Sequence, residues 1–127
     1  MTLARLGRQL GDAGASTLDD ITRGEYRAVF NYQGRRIGIQ TFGDTENVVN
    51  AGLNHFLDNS CQIIAIASKR YGQTIARLDA FANVNNFRII WVAPYEVRDD
   101  SISTNTIKEY CASHLLLMID DVISNRL

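Results

Sequence analysis

Leu3, Leu6 and Leu10 recur three and four positions apart, the spacing that lines one face of a helix. Thr2 stands where an N-cap belongs, and Gly11 and Gly14 favour a stop. Residues 17–23 read as one further helical turn, with Thr17 and Asp20 as a local cap. From residue 25 the period drops to two. Tyr26, Ala28, Phe30 and Tyr32 point one way, and Arg27, Val29 and Asn31 the other, as in a half-buried strand. Gln33-Gly34 offers a glycine where a tight hairpin needs positive φ, so residues 36–42 are expected to return antiparallel.

After Asp44 the helical period resumes, with Val49, Leu53, Phe56 and Leu57 in a stripe that begins near Thr45 and ends before Asn59. "CQIIAIAS" (61–68) is continuously apolar, as suits a strand of a parallel sheet buried on both faces. Residues 72–84 return to helix, with Ile75, Leu78 and Phe81 inward. "FRIIWVA" (87–93) reads as a second buried strand, stopped by Pro94. Residues 104–125 form a long helix with Ile107, Cys111, Leu115, Met118 and Val122 on its core side. The connections around residues 43–60 and 69–86 are long enough for right-handed crossovers. The expected fold is therefore α/β: a three-layer sandwich with a mostly parallel sheet of about four strands. An antiparallel hairpin lies at one edge and a long C-terminal helix closes the chain. At 127 residues, without repeat, linker or low-complexity tract, it reads as one domain.

Composition narrows the function classes. Apolar residues make up 46% and charged residues 21%, ordinary for a soluble protein. A net charge of −1 gives no basic field, so neither nucleic acid nor a membrane surface is an expected partner. The apolar runs are too short to span a bilayer. Met1–Leu10 lacks the apolar core of a signal peptide, and Cys61 and Cys111 lie far apart. A reduced, cytoplasmic protein is the expectation, with both thiols as small buried side chains.

In open α/β sheets ligands bind outside the carboxyl ends of the parallel strands. Here those ends are Gly43-Asp44-Thr45, Ser68-Lys69-Arg70-Tyr71-Gly72 and Pro94-Tyr95-Glu96-Val97-Arg98. Two of these loops open helices, whose first N–H groups attract anions, and Lys69 and Arg70 add cationic donors. The candidate ligand-binding residues are Asp44, Thr45, Ser68, Lys69, Arg70 and Tyr95. The bland reading makes Asp44 a helix N-cap, Lys69-Arg70 a solvated turn, and Trp91 and Tyr95 packing residues. His55 and His114 likewise read as structural. No Cys/His set has metal-ligand spacing, and no nucleophile elbow, supported Cys–His pair or catalytic carboxylate pair is present, so no catalytic residue, metal or cofactor is expected.

A short helix, then strands, then "IGIQTFGD" with an acid at the strand exit resembles a P-loop NTPase entered after its first strand. The resemblance spans roughly residues 1–98 in pattern and implies that Asp44 stands where the family's Walker B aspartate holds Mg²⁺. The family's first strand and Gly-x-x-x-x-Gly-Lys-Ser/Thr loop are missing from the pattern. "SKRYGQT" has one glycine, and its lysine precedes it. Strand 36–42 is also interrupted by the polar pair Gln40-Thr41. The resemblance thus implies a truncated or degenerate member without the electrostatic support for NTP hydrolysis.

The expected function is a small binding or interaction module that takes an anionic or phosphorylated ligand at the strand ends. The rivals are an enzyme acting on a phosphorylated small molecule or nucleotide, with Asp44 as acid/base or metal ligand, and a purely structural homodimer. Self-association is expected because Leu115 to Ile119 are five consecutive apolar residues, too many for one buried helix face. A strand at residues 25–33, if it lies at the sheet edge, adds a second self-pairing surface.

Overall fold

The computed structural model of the protein describes residues 2–23, 25–69, 72–93 and 97–127. Its elements are α1 (Thr2–Asp12), β1 (Ser16–Arg23), β2 (Glu25–Tyr32), β3 (Arg35–Gln40), α2 (Glu46–Asp58), β4 (Ile63–Ile66), α3 (Gln73–Asn85) and α4 (Thr104–Ile123). The four strands form one sheet in the order β1-β2-β3-β4. β1, β2 and β3 are an antiparallel meander, and only β3 and β4 run parallel. This overturns the expected mostly parallel sheet.

Two segments account for the difference. Residues 17–23 belong to β1 rather than to a helical turn, and they pair with β2 from Thr17↔Phe30 to Arg23↔Glu25. Residues 87–93 form no strand. α3 ends at Asn86 in the left-handed region (φ 60°), and the Phe87 amide folds back to donate to Ala82 O at 2.9 Å. Phe87 then stacks on Phe81, with ring centroids 5.4 Å apart. Phe87 and Ile89 are thereby packed on the core around α2 and α3, and Ile90, Trp91 and Val92 are left exposed. Trp91, expected to pack, is 56% exposed.

The hairpin forms as expected: Gln33 (φ 51°) and Gly34 (φ 76°) are both left-handed, and Tyr32 faces Arg35 across the turn. Its first strand, however, is central and not at the edge, because β1 covers its outer side.

Alternation divides the sheet between two cores. Ala28, Phe30, Tyr32, Ile37 and Ile39 pack with Leu6 and Leu10 of α1 and Ala112 and Ile119 of α4. On the opposite face Val29 packs with Phe56 and Cys61, and Val49 and Leu53 of α2 meet Leu78 and Phe81 of α3. β4 serves both sides, Ile63 and Ala65 toward the first core and Ile64 and Ile66 toward the second. Helices thus cover both faces of the sheet. Much of the apolar run in α4 is used internally: Ile119 is buried, and Leu115 and Leu116 pack on the α1 side. No helix of the described residues is long and apolar enough to cross a membrane.

Candidate functional site

Because β3 and β4 are parallel, their carboxyl ends share one edge of the sheet. The chain leaving β3 comes unusually close to the chain leaving β4: a Cβ on Gly43 would overlap the carbonyl of Ala67. Only glycine allows that approach. The Ala67 amide also donates to Gln40 O at 3.1 Å, which continues the ladder past the last strand residue.

The two exits frame a pocket of about 240 Å³, lined by Asp44, Thr45 and Glu46 from one side and Lys69, Gly72, Gln73 and Thr74 from the other. Three of the six sequence candidates, Asp44, Thr45 and Lys69, are therefore together. Ser68 is adjacent in the chain but does not line the pocket; its hydroxyl donates to Lys69 O at 3.0 Å. Arg70 and Tyr95 lie outside the described residues.

Thr45, not Asp44, is the N-cap of α2. Its backbone is extended (φ −131°, ψ 158°), and its Oγ1 accepts from Val48 N at 3.3 Å. This corrects the reading of Asp44 as a cap and leaves its exposed carboxylate at the rim of the pocket. α3 starts differently. Its N-cap is Gly72 (φ 86°), a residue with no side chain to cap the helix. The α2 side carries Glu46 in its first turn and so is acidic, while the α3 side carries Lys69.

Behind the pocket lies a polar cluster that the sequence marked only as an interruption. Gln40 is fully buried and Thr41 nearly so. Gln40 Oε1 accepts from Arg27 Nε at 2.6 Å, and Gln40 Nε2 donates to Phe42 O at 2.9 Å and Val48 O at 3.4 Å. Thr41 Oγ1 accepts from Tyr26 N at 2.8 Å. The Arg27 guanidinium lies 5.6 Å from the Phe42 ring centroid. The Gln40 amide occupies space that Gly52 leaves in the middle of α2, where any Cβ would overlap it.

The cysteines and His55 do not line this pocket. Cys61 is buried, and burial pushes its thiol up to about 11. Cys111 is also buried, and the two cysteines are not joined. His55 meets the Phe56 ring edge-on at 5.9 Å between centroids. Among the described residues no three His, Cys, Asp or Glu side chains converge to hold a metal ion. No family model, curated protein or solved structure matches this chain.

Proposed function

We propose that the protein is a small binding module for a phosphorylated small molecule, held in the pocket between the N-termini of α2 and α3. The observation that carries this reading is the convergence of Lys69 and the start of α3 with Asp44 and Glu46 on one pocket. A phosphate belongs against Lys69 and the α3 amides, where charge and dipole both favour it. Asp44 and Glu46 would repel a bare anion, but they accept hydrogen bonds from hydroxyl or amino groups on the same ligand. The preferred ligand therefore combines a phosphate with donor groups, as a sugar phosphate does. A pocket of about 240 Å³ is below the usual range for drug-sized ligands and suits a compact one. The reading is of a binder rather than an independent NTPase, since one glycine and a lysine preceding it make no phosphate-cradling loop.

Thermal melting with inorganic phosphate, sugar phosphates and nucleoside monophosphates tests the proposal. A true ligand at a hundred times its dissociation constant adds about 2.7 kcal/mol, roughly 10 °C for a chain of this length. Lys69→Ala should remove most of that shift. Asp44→Ala should bring sugar phosphates closer to inorganic phosphate in affinity. The reading fails if no compound of the panel shifts the melting temperature at millimolar concentration. Turnover of a phosphorylated compound that disappears in Asp44→Ala would replace the binder by an enzyme.

A further inference from the structure

We infer that Gln40 is the positioning residue of this pocket: it holds the loop that presents Asp44, Thr45 and Glu46 at one fixed distance from Lys69 and the start of α3. The inference rests on the binding role proposed above and adds a residue that does not line the pocket.

Gln40 is the last residue of β3, and its side chain points to the α2 face, the same face as Gly38. The two carbonyls that accept from its Nε2 belong to Phe42 and Val48, one on each side of residues 43–47. A single amide group thus ties both ends of the loop to the strand. Its remaining polar atom, Oε1, is anchored from β2 by Arg27. The start of the loop is held independently by the Tyr26 N bond to Thr41 Oγ1 and by the Thr41 N bond to Tyr26 O at 2.9 Å.

The arrangement is not what core stability alone would select. A primary amide with no solvent exposure must have its donors and acceptor satisfied, and an unmet one is destabilising. The glycine that admits it is a weaker helix former than alanine in the middle of α2. An apolar side chain at 40 would need no partners of its own. What the amide provides, and an apolar side chain does not, is a fixed loop between two parallel strand ends. Side chains on such a loop meet a ligand with little ordering left to do.

The test uses the whole chain and two independent perturbations. Gln40→Met removes the amide at similar volume, and Gly52→Ala keeps the amide but expels it from its notch. Each variant is followed by backbone amide hydrogen exchange without ligand, by urea unfolding, and by titration with glucose 6-phosphate under conditions where it is fully folded, its hydroxyls being the groups that Asp44 and Glu46 would meet. The expected result is exchange at least tenfold faster in residues 43–48, beyond what the change in urea midpoint accounts for. Glucose 6-phosphate affinity should fall about tenfold in parallel. A purely structural role would lower the urea midpoint and leave the glucose 6-phosphate affinity of the folded protein unchanged, which would overturn the inference. Wild-type exchange at residues 43–48 in both variants would overturn it as well. Should one substitution prevent folding, the other gives the same two readings. If the loop loosens as expected while the wild-type protein itself binds no glucose 6-phosphate, the positioning of the loop by Gln40 is upheld and the ligand reading alone falls.

Discussion

The hydroxyl of Tyr32, at the end of β2, donates to Asp120 Oδ1 on α4 at 2.6 Å, and Tyr32 is only 5% exposed. That bond, with burial second, raises the Tyr32 pKa above its ordinary value, so the tyrosine stays a neutral donor well beyond physiological pH. Tyr32→Phe keeps the ring packing and removes one charge-assisted bond; chemical denaturation should show a loss of about 1–2 kcal/mol. An unchanged midpoint would mean that water replaces the tyrosine at Asp120 without cost. At this scale the sequence shows residue types well and partners poorly. Tyr32 was legible as an inward-facing aromatic, because period-two alternation is local. Its partner lies far along the chain and was not. Asp44 and Thr45 are both good cap residues, and which one caps depends on where the helix axis starts, a property of the surrounding packing. Gln40 was visible as a break in an apolar strand. Its function needed Arg27, Val48 and Gly52, from three separate stretches of chain, to be seen together.

Between elements, α1 and α4 are joined on their outer side by a cluster around Glu109. Its carboxylate accepts from Gln9 Nε2 at 3.1 Å and from Arg8, and it lies 3.1 Å from Arg5 Nε. The bonds from Gln9 and Arg8 hold the Glu109 carboxyl below its usual pKa. A group whose folded pKa is depressed contributes stability above its unfolded pKa and loses it as pH falls through the folded value. The contribution is therefore complete at neutral pH and fades below the ordinary carboxylate range. Glu109→Gln should melt lower than wild type at pH 7, with the gap closing toward pH 3; a gap independent of pH would show that the charge is irrelevant. Elements whose apolar spacing is regular were legible: α1, the β2–β3 hairpin, α2, α3 and α4 all fall close to their expected bounds. β1 was not, because Ser16–Arg23 carries two acids and only two apolar residues, and it is a strand by virtue of pairing with β2. The opposite failure is residues 87–93, which have strand-like composition but are drawn onto α3 by Phe87.

For the whole molecule, covering both sheet faces was foreseeable from amphipathic helices flanking apolar strands, whereas strand direction was not, since gaining β1 and losing a strand at residues 87–93 together change the sheet from mostly parallel to mostly antiparallel. That correction also changes how two copies of the chain could associate. β2 lies inside the sheet, so it offers no edge for pairing. α4 still has an apolar surface left over. Tyr110 is 64% and Leu117 56% exposed, and with Val97, Ile107, Ser113 and His114 they line a shallow groove of about 580 Å³. Ile107, Tyr110, His114 and Leu117 follow a three-four-three spacing, the seam by which one helix packs along another. The seam is also self-complementary. Ser113 and His114 sit at its middle, so a second α4 laid antiparallel across them puts Tyr110 of each copy against Leu117 of the other, as a two-fold contact requires. We therefore propose a second copy of this chain as the occupant of the groove. At micromolar concentration light scattering should give twice 14.2 kDa. Leu117→Arg should return the protein to the monomer mass without lowering its unfolding midpoint in dilute solution, because the side chain is outside both cores. A wild-type mass that stays at 14.2 kDa over a hundredfold range of concentration would exclude the pairing.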